Sequence, residues 1–192
     1  MKRAIFGFGG HAREILSIIP NIDKIYVDDK FVTNQTHPIS EFDPEEHEIM
    51  VCVSDPKDRS EIVNKLPSNT IYFTYIHPTS IIFSDITIGE GSYIGPYCVL
   101  TDNIILGSHT LLNRMNQIGH DCNVKNFLSM MPGSIISGNC VLGNRVYIGS
   151  NSSMKEKITI CDDVTIGLNS GVVKNIIESG IYGGVPVKKL KS

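Results

Sequence analysis

The chain has 192 residues, of which 41% are hydrophobic, and a formal net charge of −3 at pH 7. This length holds one or two small domains, and the weak acidic charge provides no basic footprint for nucleic acid or a membrane surface. No stretch approaches the ~20 apolar residues of a membrane span, and His11, Arg13 and Glu14 interrupt the apolar N-terminus before a signal-peptide core could form. These features predict a soluble cytoplasmic protein.

The first 75 residues alternate between strand-like and helix-like segments. Strands are predicted at 3–8, 24–27, 48–53 and 71–76, and helices at 12–19 and 56–66. The stretch 33–48 is predicted to be a surface connection. This alternation indicates βαβ units with a parallel sheet, so residues 1–75 are predicted to form a small Rossmann-like domain.

The turn after the first predicted strand, Gly7-Phe8-Gly9-Gly10-His11, carries the main binding signal of this domain. Glycines let the backbone approach a ligand, and the N–H groups at the start of the following helix can hold phosphate. Asp28 and Asp29 follow about twenty residues later, where such folds place a carboxylate. Because the third glycine of G-x-G-x-x-G is missing, a tight turn with solvated acids remains the alternative.

From Ile76 to Val172 an apolar residue stands at every sixth position, seventeen times in succession. A period of six fits neither a helix nor a flat strand, but it fits a triangular parallel β-coil whose hexapeptides each form one side. Residues eighteen apart then stack about 4.8 Å apart. The unbroken phase predicts no long loop between the coils. The three predicted apolar columns are 76/94/112/130/148/166, 82/100/118/136/154/172 and 88/106/124/142/160.

Gly often follows the apolar residue, for example Gly107, Gly119 and Gly143. We expect the chain to turn a corner there, with the positive φ that Gly tolerates. The five cysteines are odd in number and include no C-x-x-C, which argues against a disulfide framework and a zinc site. They are predicted to be buried thiols.

The repeat resembles that of the hexapeptide acyltransferases with a left-handed parallel β-helix, and the handedness is taken from that resemblance. With the G-x-x-G-H turn and the ending Gly184-Val185-Pro186-Val187-Lys188, which is similar to G-V-P-A-K, the whole chain resembles the sialic acid O-acetyltransferase-like family. That family includes bacterial N-acetyltransferases of nucleotide-linked 4-amino-4,6-dideoxy sugars. The implied architecture is a Rossmann-like nucleotide-sugar-binding domain over 1–75 and a left-handed β-helix with a C-terminal tail over 76–192.

The resemblance implies roles for the residues at matching positions. The catalytic pair would be His120 and Asp121, with Asn113 at the substrate seven positions before the histidine. Further nucleotide-sugar contacts would come from Gly9, Gly10, His11, Asp28, Asp29 and Ser54. The contacts to the co-substrate acetyl-CoA would come from Ser129, Gly138, Ser150 and Leu168. The resemblance also implies a homotrimer with active sites between subunits, and no metal.

A His followed by a carboxylate suits acyl transfer from a thioester. Such a donor is already activated, so the enzyme has mainly to orient the acceptor and remove its proton. His120 is predicted to face outward, with Asp102 and Gly138 as its stack neighbours, while Asn103 and Asn139 neighbour Asp121. The resemblance implies that the backbone N–H of Gly138 would meet the thioester oxygen.

The sequence leaves alternatives open. The same pair could O-acetylate a sugar such as sialic acid, although an amine is the easier nucleophile. Some family members have a second His at the position of Ser129, a departure that weakens the acceptor assignment more than the acyl-transfer chemistry. A zinc enzyme resembling γ-class carbonic anhydrases would need three converging His, and the coils offer only His120 and His109, the latter also expected to face outward. A noncatalytic nucleotide-sugar binder is the remaining alternative.

Overall fold

A computed structural model describes residues 1–190, which form two compact units, Met1–Tyr75 and the residues from Ile76 onward. The last two residues of the predicted range 76–192 lie outside the described part. Within residues 1–190, neither helix has the length and apolar character needed to cross a bilayer.

The N-terminal unit is a four-stranded parallel sheet with two α-helices. Its strands are β1 (Lys2–Phe6), β2 (Ile22–Val27), β3 (His37–Pro38) and β4 (His47–Val51), and its helices are α1 (Gly10–Leu16) and α2 (Pro56–Lys65). The strand order is β3-β2-β1-β4, and every neighbouring pair is parallel. The run Ala4-Ile5-Phe6 of the central strand β1 is fully buried, as expected when both faces of a parallel strand are covered.

Two segment predictions in this unit were wrong. The predicted surface connection 33–48 contains the edge strand β3, flanked by the single 3-10 turns Asp29–Phe31 and Ile39–Glu41. Pro38 is compatible with this strand because a strand at the edge of a sheet tolerates a missing N–H. The predicted strand 71–76 shrinks to a lone bridge between Tyr72 and Ile49 and a two-residue strand at its end.

The second unit is a coil of very short strands in three sheets of five, six and eight strands, which are parallel except for the antiparallel pair of the last two strands. Its strands are β5 (Tyr75–Ile76), β6 (Ile81–Ile82), β7 (Ile86–Ile88), β8 (Tyr93–Ile94), β9 (Val99–Leu100), β10 (Ile104–Leu106), β11 (Leu111–Leu112), β12 (Gln117–Ile118), β13 (Asn123–Val124), β14 (Ser129–Met130), β15 (Ile135–Ile136), β16 (Val141–Leu142), β17 (Tyr147–Ile148), β18 (Ser153–Met154), β19 (Thr159–Ile160), β20 (Val164–Ile166), β21 (Gly171–Val172), β22 (Gly180–Gly183) and β23 (Lys188–Lys189).

The strand register confirms the eighteen-residue coil. Leu112 pairs with Ile94 in the preceding coil and with Met130 in the following one. Ile118 is aligned in the same way between Leu100 and Ile136. From Ile94 onward the inward residues are buried in one continuous apolar core, and no long loop interrupts residues 76–172. The hexapeptide pattern therefore fixes the stacking of the coils.

The expected role of the glycines was wrong. The left-handed residue is the fourth of each hexapeptide, from Asp85 to Asn169, with φ between 50° and 73°. The glycines in the second position serve close packing instead. A Cβ on Gly119 would lie 2.6 Å from the backbone nitrogen of Gly138 in the next coil. Gly is thus required because the coils stack closely, and the corner itself lies two residues further on.

Candidate active site

His120 and Asp121 form a corner of the coil after β12. Asp121 is the left-handed fourth residue of its hexapeptide, with a φ of 58°, a conformation that Asp adopts more readily than most residues. The side chain of His120 is 61% exposed, and its Nδ1 lies 2.7 Å from Oδ2 of Asp121. Because an ionised carboxylate only accepts hydrogen bonds, Nδ1 carries the proton and Nε2 is left as the basic nitrogen.

The carboxylate of Asp121 is hydrogen-bonded through both oxygens. Nδ1 of His120 donates to Oδ2. Nδ2 of Asn103, one coil earlier, donates to Oδ1 at 2.7 Å. The bond from His120, and to a lesser extent that from Asn103, lowers the pKa of Asp121 below its ordinary value of 3.8. The carboxylate is therefore ionised at neutral pH and can stabilise a proton on His120.

The imidazole of His120 lies over Gly138, which has no side chain to collide with the ring. A Cβ at Gly138 would lie 2.8 Å from Nε2 of His120. The two residues stack because they are eighteen apart, and the N–H of Asn139 donates to the carbonyl of His120 at 2.7 Å. The N–H of Gly138 donates to no group within residues 1–190. The basic nitrogen thus lies against the backbone of Gly138, whose N–H has no partner among residues 1–190.

The other predicted residues of the coil lie along a different corner. His120 and Gly138 follow strands of the six-stranded sheet, whereas Asn113, Ser150 and Leu168 follow strands of the eight-stranded sheet. Leu168 is 69% exposed, Ser150 is partly exposed, and the mostly buried Asn113 accepts a bond from the N–H of Arg114. A single chain therefore does not bring these two sets of residues together.

Two of the coil positions are more buried than the sequence suggested. Ser129 lies in β14 with none of its surface exposed, so its hydroxyl offers no accessible contact to a co-substrate within this chain. His109 was expected to face outward, and this expectation was wrong. Its ring is buried, because it stacks on Phe127 with centroids 5.1 Å apart and packs over Gly91, which has no side chain.

The glycine turn of the N-terminal unit lies between β1 and α1. Gly7 has a φ of 113°, which favours glycine. A Cβ on Gly9 or Gly10 would meet no atom within 4 Å, so packing inside the unit does not require these two glycines. His11 follows in the first turn of α1, and its Nδ1 lies 3.8 Å from Oε2 of Glu14. The open side of the turn is compatible with a ligand.

Two clefts open at the carboxyl ends of β1 and β2. The first, of about 380 Å³, is lined by the glycine turn together with Val27 and Asp28. The second, of about 460 Å³, is lined by Asp28, Asp29, Ser40 and residues at the end of α2. Asp29 accepts a bond from the N–H of Ser40 at 3.2 Å, whereas the carboxylate of Asp28 bonds to no group within residues 1–190. Asp28 is therefore the freer of the two acids.

The structure adds residues that the sequence reasoning missed. Ser54 follows β4, and its carbonyl and that of Val53 accept bonds from the buried guanidinium of Arg59. Burial lowers the pKa of Arg59 to about 9. From sequence alone, a lone arginine in a helical segment does not indicate that its guanidinium is buried and bonded to these two carbonyls. Asn103 is different, because its spacing of eighteen residues from Asp121 is visible in the repeat.

The comparisons with known proteins agree with this geometry. No family model matches the chain. It is 25% identical over 109 residues to GDP-perosamine N-acetyltransferase of Escherichia coli O157:H7, covering 56% of this chain and 49% of that protein. The chain spans half or less of the length of the first curated relatives that it matches.

Two solved structures match nearly the whole chain. A variant of perosamine N-acetyltransferase from Caulobacter crescentus, in complex with CoA and GDP-perosamine, has a TM-score of 0.89 at 20% identity, covering 100% of this chain and 98% of that one. WeeI from Acinetobacter baumannii AYE has a TM-score of 0.87 at 20% identity, covering 98% and 99%. At such identities the likeness establishes the fold.

The parallel sheets of the coil are consistent with a left-handed β-helix acyltransferase. The fold is that of the hexapeptide-repeat acyltransferases to which the chain is similar, and the resemblance predicted from the sequence is confirmed. Within that class, the similar proteins include N-acetyltransferases of a nucleotide-linked sugar, GDP-perosamine.

Proposed function

We propose that this chain is a cytoplasmic acetyl-CoA-dependent N-acetyltransferase of a nucleotide-linked amino sugar of the 4-amino-4,6-dideoxyhexose type, used in bacterial glycan or O-antigen biosynthesis. The observation that carries this proposal is the exposed pair of His120 and Asp121, joined by a 2.7 Å hydrogen bond, with the imidazole lying over the backbone of Gly138. The recorded substrates of the similar proteins support the choice of a nucleotide sugar.

In the proposed reaction, Nε2 of His120 takes a proton from the acceptor amine as its nitrogen attacks the thioester carbonyl. The new C–N bond forms and the C–S bond breaks, and the proton passes from His120 to the departing thiolate. Asp121 holds Nδ1–H and stabilises the imidazolium that forms transiently. The free N–H of Gly138 would stabilise the oxyanion. The acetyl group moves directly, without an acyl-enzyme.

The N-terminal unit would supply the nucleotide-sugar site as a small Rossmann-like domain. Gly9 and Asp28 border one cleft at the carboxyl ends of the strands, and Gly10 and His11 follow Gly9 at the start of α1. Ligands of open α/β sheets bind at that edge. Ser54 follows β4 at the same edge, and Asp29 would contribute through the neighbouring cleft.

The active enzyme would be a homotrimer with its sites between subunits. The support comes from the two corners described above, since Leu168 and Ser150 cannot join His120 within one chain. A neighbouring subunit that packed its second corner against the first would complete the site. Closed rotational symmetry repeats such a contact three times.

O-acetylation of sialic acid or a related sugar is the second candidate. The exposed base His120 favours neither acceptor by itself, because a His–Asp pair can deprotonate a hydroxyl as well as an amine. Ser129, buried where some relatives carry a second His, gives no preference for an amine. The two candidates differ in the acceptor and share the base.

The test is release of CoA thiol from acetyl-CoA by the purified protein. The acceptors would be UDP-, dTDP- and GDP-linked 4-amino-4,6-dideoxy sugars and free sialic acid. We expect turnover with one nucleotide amino sugar and a loss of about 10²–10⁴-fold in His120→Ala, the usual share of general-base catalysis. His77→Ala, which removes a partly exposed histidine at the start of the coil, serves as the control. Turnover that survives His120→Ala would identify another base, and activity on sialic acid alone would establish O-acetylation.

A further inference from the structure

The second oxygen of the Asp121 carboxylate is bound by a residue from another coil. Nδ2 of Asn103 lies 2.7 Å from Oδ1 of Asp121, a distance as short as that from Oδ2 to His120. Because a carboxylate only accepts, the amide nitrogen of Asn103 is the donor. The carboxylate is thus fixed at both ends, whereas an exposed aspartate is otherwise free to rotate.

The coil geometry explains why this amide reaches the carboxylate. Asn103 and Asp121 are both left-handed fourth residues of their hexapeptides, with φ of 51° and 58°. Residues eighteen apart in successive coils are about 4.8 Å apart, so side chains leaving identical corners run side by side. Asn is among the few residues that adopt the left-handed conformation readily. The same spacing joins Arg145 to Asp163 elsewhere in the coil.

We propose that Asn103 is a positioning residue for the catalytic pair. By donating to Oδ1 it holds the Asp121 carboxylate with Oδ2 facing Nδ1 of His120. The proton of the imidazole is then kept on Nδ1, and Nε2 remains free as the base. The effect on turnover rests on the proposed function, whereas the effect on the imidazole tautomer does not.

The coil offers a matched control on the other side of Asp121. Asn139 is the same residue type, one coil later, with a φ of 59°. Its side chain makes no hydrogen bond to any of residues 1–190, although its backbone N–H bonds to His120. Asn103→Ala and Asn139→Ala therefore carry the same backbone penalty and the same loss of volume. They differ in the bond to the carboxylate.

The experiment measures the tautomer of His120 by ¹⁵N NMR of the imidazole in the full-length protein at a pH where it is neutral. We expect wild type and Asn139→Ala to carry the proton on Nδ1. Asn103→Ala should shift the population toward the Nε2–H form, which is the common one in solution. Its kcat should fall on the order of tenfold, by analogy with residues that orient ligating histidines, while KM for acetyl-CoA and the melting temperature match those of Asn139→Ala.

Asn103→Asp provides a second arm, because it keeps the shape and tolerates the left-handed corner but cannot donate when ionised. It should lose the Nδ1–H tautomer as Asn103→Ala does, with Asn139→Asp as its charge-matched control. Equal tautomer populations in Asn103→Ala and Asn139→Ala would overturn the proposal. Failure of the proposed function gives a different result, because wild type would then release no thiol with any acceptor. The NMR comparison would still measure the effect of Asn103 on the His120 tautomer.

Discussion

At the scale of single residues, the site depends on two glycines without side chains as much as on the side chains of the catalytic pair. His120 projects over Gly138, where a side chain would collide with the ring. Gly119, one residue before the base, faces the backbone of the same Gly138. The two glycines therefore serve different purposes: Gly138 makes room for the imidazole of His120, and Gly119 allows two coils to approach.

This difference predicts opposite outcomes for two similar substitutions. In Gly138→Ala the new Cβ meets an exposed ring that can rotate away, so we expect a normal melting temperature. Because the base is displaced, kcat/KM should fall on the order of 10²-fold. In Gly119→Ala the Cβ meets backbone at 2.6 Å, so unfolding should begin at lower temperature. Thermal melts and thiol-release kinetics measure the two effects, and full activity in Gly138→Ala would contradict this account.

At the scale of elements, the coil is a series of two-residue strands joined by left-handed corners. Six corner residues between 85 and 169 are neither Gly, Asn nor Asp: Tyr97, His109, Met115, Phe127, Arg145 and Lys157. The left-handed conformation costs L-residues roughly 1–2 kcal/mol each. The buried stacks and the ladder of hydrogen bonds between coils must outweigh this cost at each corner.

The corner strain predicts that Met115→Asn stabilises the protein. Met115 has a φ of 62° and an exposed side chain, so little packing is lost, and Asn relieves part of the left-handed cost. We expect the free energy of unfolding to rise by about 0.5–1 kcal/mol. Met115→Val, which is β-branched, should lower it. Chemical denaturation measures both, and Arg114→Asn at the neighbouring non-left-handed position controls for the new amide.

At the scale of the whole molecule, the walls of the coil carry exposed apolar side chains. Ile105, Ile135 and Val141 all point outward from strands and are exposed in the single chain. Exposed apolar residues that are scattered singly need no explanation. Here Ile105 and Val141 belong to the five-stranded sheet and Ile135 to the six-stranded sheet, so these residues alone do not define an interface. The division of the predicted site residues between two corners is the feature that favours assembly through the coil.

The proposed trimer predicts a native mass three times the 21.2 kDa of the chain. It also predicts complementation: His120→Ala and Leu168→Glu, each inactive alone, should regain activity when co-assembled, because some interfaces then combine an intact His120 with an intact Leu168. Native mass spectrometry and thiol release measure the two outcomes. A monomer of full activity, or co-assembled trimers without activity, would place the whole site within one chain.

The sequence by itself determined the coil. An apolar residue at every sixth position can be buried continuously only if residues eighteen apart stack, so the register from Ile94 to Val172 follows from the pattern alone. The outward direction of His120 followed from its place in the hexapeptide, and the adjacent Asp121 from the residue order. The resemblance to acyltransferases rested on these same repeated positions.

The tertiary structure decided how the corners are built. Only the stacked coils determine that the fourth residue is left-handed, that His109 and Ser129 are buried, and that Gly119 is needed for close approach. The bond from Asn103 to Asp121 also depends on two corners of the same conformation in successive coils. The physical reason is that a repeat pattern specifies which residues are inside, whereas side-chain direction at a turn depends on backbone angles and on the neighbouring coil.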